Sequence, residues 1–170
     1  MAVTQVGSIL VQVAAKLKDT LDLSTVVDDL LRKYSIPLAA GAGADQANQV
    51  FHDQRTLAAS ATEDLDLAAS LVNPVGDTIT FARVKAIIVF ASEGNTNNVQ
   101  MSVPAANGFS TWALAASDGL TIRPGGIVAL VAPDATAFVV TAGTGDLLTF
   151  TNAAAGSGVT YDVILIGVAA

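Results

Sequence analysis

Few residues in this chain are of a type that does chemistry. Its one histidine, His52, sits in Phe51-His-Asp-Gln-Arg55, and cysteine is absent. A His-Asp neighbour pair suggests a general base and the carboxylate that orients it. Adjacent residues on a strand point to opposite faces, however, and no Gly-x-Ser-x-Gly elbow accompanies the pair. Gly41-Ala-Gly-Ala-Asp-Gln46 has the glycines of a phosphate-binding loop. It lacks the Gly-Lys-Ser/Thr ending and a following βαβ pattern, so it reads as a connector. Glu63, Asp64 and Asp66 could form a glycosidase carboxylate pair or supply calcium ligands. Calcium takes roughly six to eight oxygens, and no Asp-x-Asp-x-Asp-Gly loop offers them. A solvated strand face accounts for these acids. Trp112, the only tryptophan, could stack on a sugar, but a core or interface residue is the preferred reading. The expectation is a protein with no catalytic residue, no cofactor and no metal, and not an enzyme.

The elements that carry these residues read as strands. Aromatics are 5% of the chain, so its core must come from Val, Ile, Leu and Ala, a β-branched composition that favours sheet. The stretch from Asp77 to Phe90 organises the rest. Ile79 and Phe81 alternate with Thr78 and Thr80, then the apolar set moves to Ala82, Val84, Ala86, Ile88 and Phe90, with Arg83 and Lys85 opposite. A one-residue slip reverses every face, which predicts a bulge or sheet crossing near Phe81 and Ala82. Ile87 to Phe90 is apolar on both faces, as in a central strand with a layer on each side. With little helix in the chain, a neighbouring copy is the expected source of the outer layer.

Residues 1–23 fit helix or strand spacing, and strand is preferred because the downstream sequence is β-rich. The segment from Leu23 to Lys33 suggests one or two helical turns capped by Ser24 or Thr25. Tyr34, Ile36 and Leu38 then alternate as a strand, with Pro37 marking an edge. The small, polar stretch 41–49 reads as a linker. Strands are predicted at 55–59, 63–67, 99–103, 120–122, 127–132, 138–141, 147–151 and 159–168, separated by turn residues. Among these turns, Arg123-Pro-Gly-Gly126 has type II chemistry. The predicted fold is all-β, an antiparallel, jelly-roll-like β-sandwich with an extended N-terminal arm. The arm spans 1–40, the linker 41–49 and the sandwich domain 50–170.

A net charge of −7 argues against nucleic acid as a partner, since phosphate binding needs a basic patch. Four of the eight basic residues, Lys16, Lys18, Arg32 and Lys33, fall in the first 33 positions. Ordinary solvated charges are the preferred reading, and a mildly basic segment able to dock on an acidic surface is the functional alternative. The interface candidates are therefore Lys16, Lys18, Arg32, Lys33, His52 and Trp112. No apolar run approaches the roughly 18 residues of a membrane helix. The lysines follow the apolar run Ile9 to Ala15, the wrong order for a signal peptide, so synthesis in the cytoplasm without secretion is expected.

Several segments carry a resemblance. Gly43-Ala-Asp-Gln-Ala47, Phe51-His-Asp-Gln-Arg-Thr-Leu-Ala-Ala-Ser60, Thr62-Glu-Asp-Leu-Asp-Leu67 and Thr80-Phe-Ala-Arg-Val-Lys-Ala86 are similar to a family of small virion proteins of tailed bacteriophages. So are Gly94-Asn-Thr-Asn-Asn98, Arg123-Pro-Gly-Gly126, Ala132-Pro-Asp-Ala-Thr136, Thr141-Ala-Gly-Thr-Gly-Asp146 and Val159-Thr-Tyr-Asp-Val163. The likeness runs from about residue 21 to the end and lies in turns and strand starts. It implies capsid decoration: a structural protein made in the host cytoplasm that binds the major capsid protein on the virion surface. Symmetric shells make a homotrimer the natural assembly. A receptor- or glycan-binding module of a tail or head fibre is the alternative.

Overall fold

The computed structural model describes residues 7–69 and 71–170, and every regular element in them is a strand. The chain opens with β1 (Gly7–Thr20) and β2 (Thr25–Ala40), followed by β3 (Gln46–Ala47), β4 (Gln49–Leu57), β5 (Thr62–Asp66), β6 (Leu71–Val72) and β7 (Thr78–Ile79). It continues through β8 (Phe81–Ala91), β9 (Val99–Ser102), β10 (Gly119–Ile122) and β11 (Ile127–Val131). It ends with β12 (Phe138–Val139), β13 (Leu147–Asn152) and β14 (Val159–Ala169).

The fold is a β-sandwich. One sheet has the order β10-β9-β13-β5 and the other β11-β8-β14-β4, with β12 continuing along β8 beyond β11. All the pairings within these two sheets are antiparallel. The ribbon β4–β5 runs beside β13–β14, and β8–β9 beside β11–β10, so each ribbon contributes one strand to each sheet. Between the sheets, Leu65, Met101, Leu148 and Phe150 meet Phe81, Ile87, Val89, Val163 and Leu165 in one buried cluster. Each such side chain contributes about 1.5–3 kcal/mol by leaving water. The type II turn forms as its sequence predicts, with Gly126 N–H donating to Arg123 O at 2.7 Å and Gly125 at φ 73°.

β8 is central, and the slip in its sequence is a bulge. Phe81 and Arg83 oppose Ala169 and Val168, leaving Ala82 as the extra residue. A second bulge follows. Val84 opposes Gly167 and Ala86 opposes Ile166, which leaves Lys85 unpaired in the ladder. Val84 therefore joins Phe81 in the sandwich core, while Ala86 belongs to a separate buried cluster. The even positions from Ala82 to Phe90 do not share one face.

The N-terminal part is a long hairpin. β1 and β2 pair residue for residue from Gly7↔Leu38 to Thr20↔Thr25, and Leu21 N–H donates to Ser24 O across the turn. This corrects the helical turns expected at Leu23 to Lys33: the Ser24 carbonyl closes a hairpin and Val26 and Val27 enter a strand. Cross-strand pairing over the whole of β1 overrides a local capping signal. Only the base of the ribbon is buried. Ile9, Leu38 and Ala47 pack on Ala86, with Ile36, Ile88, Val131 and Ile166 around them. At this end of β8 the outer layer comes from the same chain, not a neighbour, whereas Ile88 and Phe90 stay half-buried. The expected linker 41–49 is likewise a fixed junction. β3 lies parallel to the end of β2, and the sandwich strand β4 begins at Gln49 instead of Arg55.

Candidate functional site

Lys85 fixes the ribbon to the sandwich. The bulge turns its side chain inward, where it is wholly buried. Its Nζ donates to Gly43 O at 3.1 Å, Pro133 O at 3.4 Å and Asp134 O. Asp45 N–H donates to Pro133 O at 2.7 Å, and Arg83 Nη2 to Ala42 O at 3.1 Å. Burial pushes the Lys85 amine below the ordinary lysine range, and the nearby Asp134 opposes that shift. Asp134 itself is held below the usual carboxylate range by the backbone N–H groups of Ala137 and Thr136, which order its loop. The glycine-rich stretch is thus a closed turn. Gly43 N–H donates to Gln46 Oε1 at 2.8 Å, and a Cβ on Gly41 would run into the same Gln46 side chain.

Beyond its base the ribbon stands in water. Leu10, Val11, Val13, Leu17, Val26, Val27, Leu30, Leu31 and Tyr34 are exposed on its strands, and Leu21 and Leu23 on its turn. Paired residues share a face, so the register sorts the side chains. Val11, Val13 and Leu17 lie on the same face as Tyr34, Leu30 and Val26, continuous with buried Ile9 and Ile36. The opposite face carries Lys16, Lys18 and Lys33 with Leu10, Val27 and Leu31. Lys16 bonds Asp29 at 3.1 Å with both side chains exposed, an ion pair of little net energy. The four basic candidates therefore divide: Lys16, Lys18 and Lys33 on the polar face, Arg32 opposite Val13 on the apolar one. As a unit the arm is not basic. Asp19, Asp22, Asp28 and Asp29 match the four cations, so residues 7–40 are neutral and the net −7 belongs to the rest of the chain.

His52 is exposed on β4, opposite Ile164. It borders a cleft of about 410 Å³ with Phe51, Asp53, Arg55, Asp64 and Asn73. Asp53 accepts from Arg55 Nη1 at 2.8 Å, so its carboxylate is engaged by arginine. Trp112 lies in the loop after β9, packed against the sandwich core, and its buried Nε1 has no partner among the described residues. Neither residue lies on the ribbon that holds the four basic candidates.

The acids are engaged in structure. Glu63 Oε2 accepts from Arg55 Nε at 2.8 Å and Nη2 at 2.6 Å, while its Oε1 accepts from Tyr161 O–H at 2.6 Å. This network ties the edge strands β4 and β5 of the two sheets. Tyr161 is buried against Phe150, ring centroids 4.6 Å apart, and burial together with Glu63 raises its phenol far above the ordinary range. Glu63 likewise holds the Arg55 guanidinium above its ordinary value. Asp64 accepts from Thr149 O–H at 2.5 Å and Asp66 from Ala68 N–H at 2.9 Å. Among the described residues no three potential metal ligands gather. Sequence reading missed both the Arg55–Glu63–Tyr161 network and Lys85. The network needs Tyr161, 98 positions from Glu63, and Lys85 sits where simple alternation places it outward.

No protein family, curated protein or solved structure matches this chain. The projecting ribbon and its fixed junction are the candidate functional site.

Proposed function

We propose that this protein is a structural component of a tailed-phage virion. It binds the outer surface of the major capsid protein lattice and ties neighbouring capsomers together as a decoration, or cement, protein. The observation that carries this reading is the ribbon of residues 7–40, largely exposed along its length yet clamped to the sandwich by buried Lys85. An arm of that kind suits attachment to a large surface. Its lysine face, Lys16, Lys18 and Lys33, docks on acidic patches of the shell, and the apolar turn residues Leu21 and Leu23 fill hollows beside them. The ribbon pairing of the sandwich fits a jelly roll, an architecture used by viral capsid and lectin domains, although architecture alone assigns no task. Assembly as a homotrimer matches the threefold positions of a symmetric shell.

Electron microscopy of virions labelled for this protein tests the reading. The expected result is a regular lattice of label over the head. Label confined to the tail or to one vertex would replace it with a receptor- or glycan-binding fibre module.

A further inference from the structure

We infer that the apolar face of the hairpin ribbon is an interface between copies of this chain. A two-stranded ribbon alone is marginal in water, yet this one runs through β1 and β2 with nothing over its outer part among the described residues. Its two faces are unequal. Val11 at 42% exposure, Val13 at 47%, Leu17 at 71%, Val26 at 56%, Leu30 at 41% and Tyr34 at 61% form one stripe. At the base that stripe passes into the buried cluster of Ile9, Ile36 and Leu38, so the core continues outward without its cover.

The charges select the occupant. The net positive charge of the ribbon lies on its polar face, with Lys16, Lys18 and Lys33 against Asp29, so the apolar face offers little net attraction to a strongly charged partner. Its apolar face carries Asp19, Asp28 and Arg32, and neither Asp28 nor Arg32 has an ion-pair partner among the described residues. Four residues apart on one strand, they are separated by about 13 Å and cannot meet within a chain. An identical face laid alongside brings Arg32 of one copy to Asp28 of the next. The ribbon is about 45 Å long and about 10 Å wide, so one face projects on the order of 450 Å². That is at most about half of the roughly 800 Å² per partner of a standard interface, so the face needs further contact beside it. The strand edges add to it: among the described residues β1 has no partner on its outer side, and β2 has one only at Ala39 and Ala40.

The association does not rest on the virion reading, because it is measured on the purified full chain with no shell present. Sedimentation equilibrium at micromolar concentration is expected to show an oligomer. Val13→Glu with Leu30→Glu weakens association at least tenfold while the near-ultraviolet signal of Trp112 stays unchanged. Leu31→Glu, on the opposite face, changes it less than twofold. Arg32→Asp alone weakens association, and adding Asp28→Arg restores it. A wild-type monomer at tens of micromolar overturns the inference, as does an equal effect from Leu31→Glu. A monomer whose binding to capsids is lost on Val13→Glu overturns it too, by assigning the face to a shell protein.

Discussion

Without a carboxylate in direct contact, the buried ammonium of Lys85 is held by backbone oxygens alone. The carbonyls of Gly43, Pro133 and Asp134 are its partners; an apolar replacement donates to none of them, and among the described residues only Pro133 O keeps another donor, the Asp45 N–H. Lys85→Met keeps the volume and removes the donor, so it lowers stability by roughly 2–3 kcal/mol in urea unfolding. It also exposes residues 41–45 to proteolysis. The pH response of the wild type has a definite sign. Because burial lowers the folded-state pKa of Lys85, the unfolded chain binds more protons between that value and the ordinary lysine value, so this group's contribution to stability rises with pH across that window. Tyr161 acts in the opposite direction. Its pKa is raised in the fold, so its contribution is fully present below about pH 10 and falls as pH climbs past the ordinary tyrosine value. Tyr161→Phe costs about 1–2 kcal/mol at neutral pH and flattens the alkaline limb of the stability curve. The bulge at Ala82 was legible because the apolar alternation breaks there. The bulge at Lys85 was hidden, since a lysine between Val84 and Ala86 preserves alternation on paper.

Strands with one buried face announce themselves. β14 buries Val159, Tyr161, Val163 and Leu165 in strict alternation, and its predicted bounds differ from the observed ones by one residue. β2 does not, because most of its length faces water on both sides. No core enforces a period there, and the doublets Asp28-Asp29 and Leu30-Leu31 look helical. Hydrogen exchange is expected to follow the same division. Amides of β8 and β14 exchange slowest, and those of β1 and β2 beyond Ile9 and Ile36 are protected only at concentrations where the protein associates. Uniform protection of the ribbon at nanomolar concentration would contradict this. Gly167 marks the other demand on β14. A Cβ there would lie 2.2 Å from the Arg83 carbonyl oxygen and 2.8 Å from the Phe81 ring, at the very step where β8 bulges. Gly167→Ala is expected to cost about 1–3 kcal/mol, measured by thermal and urea unfolding.

For the molecule as a whole, the all-β sandwich was readable from composition and turn spacing, whereas the hairpin of residues 7–40 was not, since part of it looked helical. Nor was the way they join, because it depends on Ile9, Leu38 and Ala47 meeting Ala86 across distant parts of the chain. That junction changes where the arm can be cut. A chain starting at Val50 strips the cover from Ala86, whereas one in which Asn-Gly joins Gln12 to Lys33 retains the whole base. The shortened ribbon is expected to melt within a few degrees of the parent and to lose capsid binding in co-sedimentation. Reversing Lys16, Lys18 and Lys33 to Glu is expected to weaken capsid binding at least tenfold at low salt and to leave the melting temperature within about 2 °C. A chelator is expected to leave the thermal midpoint unchanged.

The clamp at Lys85 also makes the arm a gauge. An arm on a slack tether samples a wide volume and loses that freedom when it docks. Here the carbonyls of two loops grip one buried amine, so the base of the ribbon holds its bearing on the sandwich, and once association covers the outer ribbon little freedom is left to lose on contact. The same rigidity removes tolerance. On the proposed docking role, an associated ribbon of fixed reach would match only sites set at one distance and one tilt, and a lattice of different curvature would offer no second fit. Under that role, stiffness at a single lysine would let the molecule respond to the geometry of a bound surface, and not only to its chemistry.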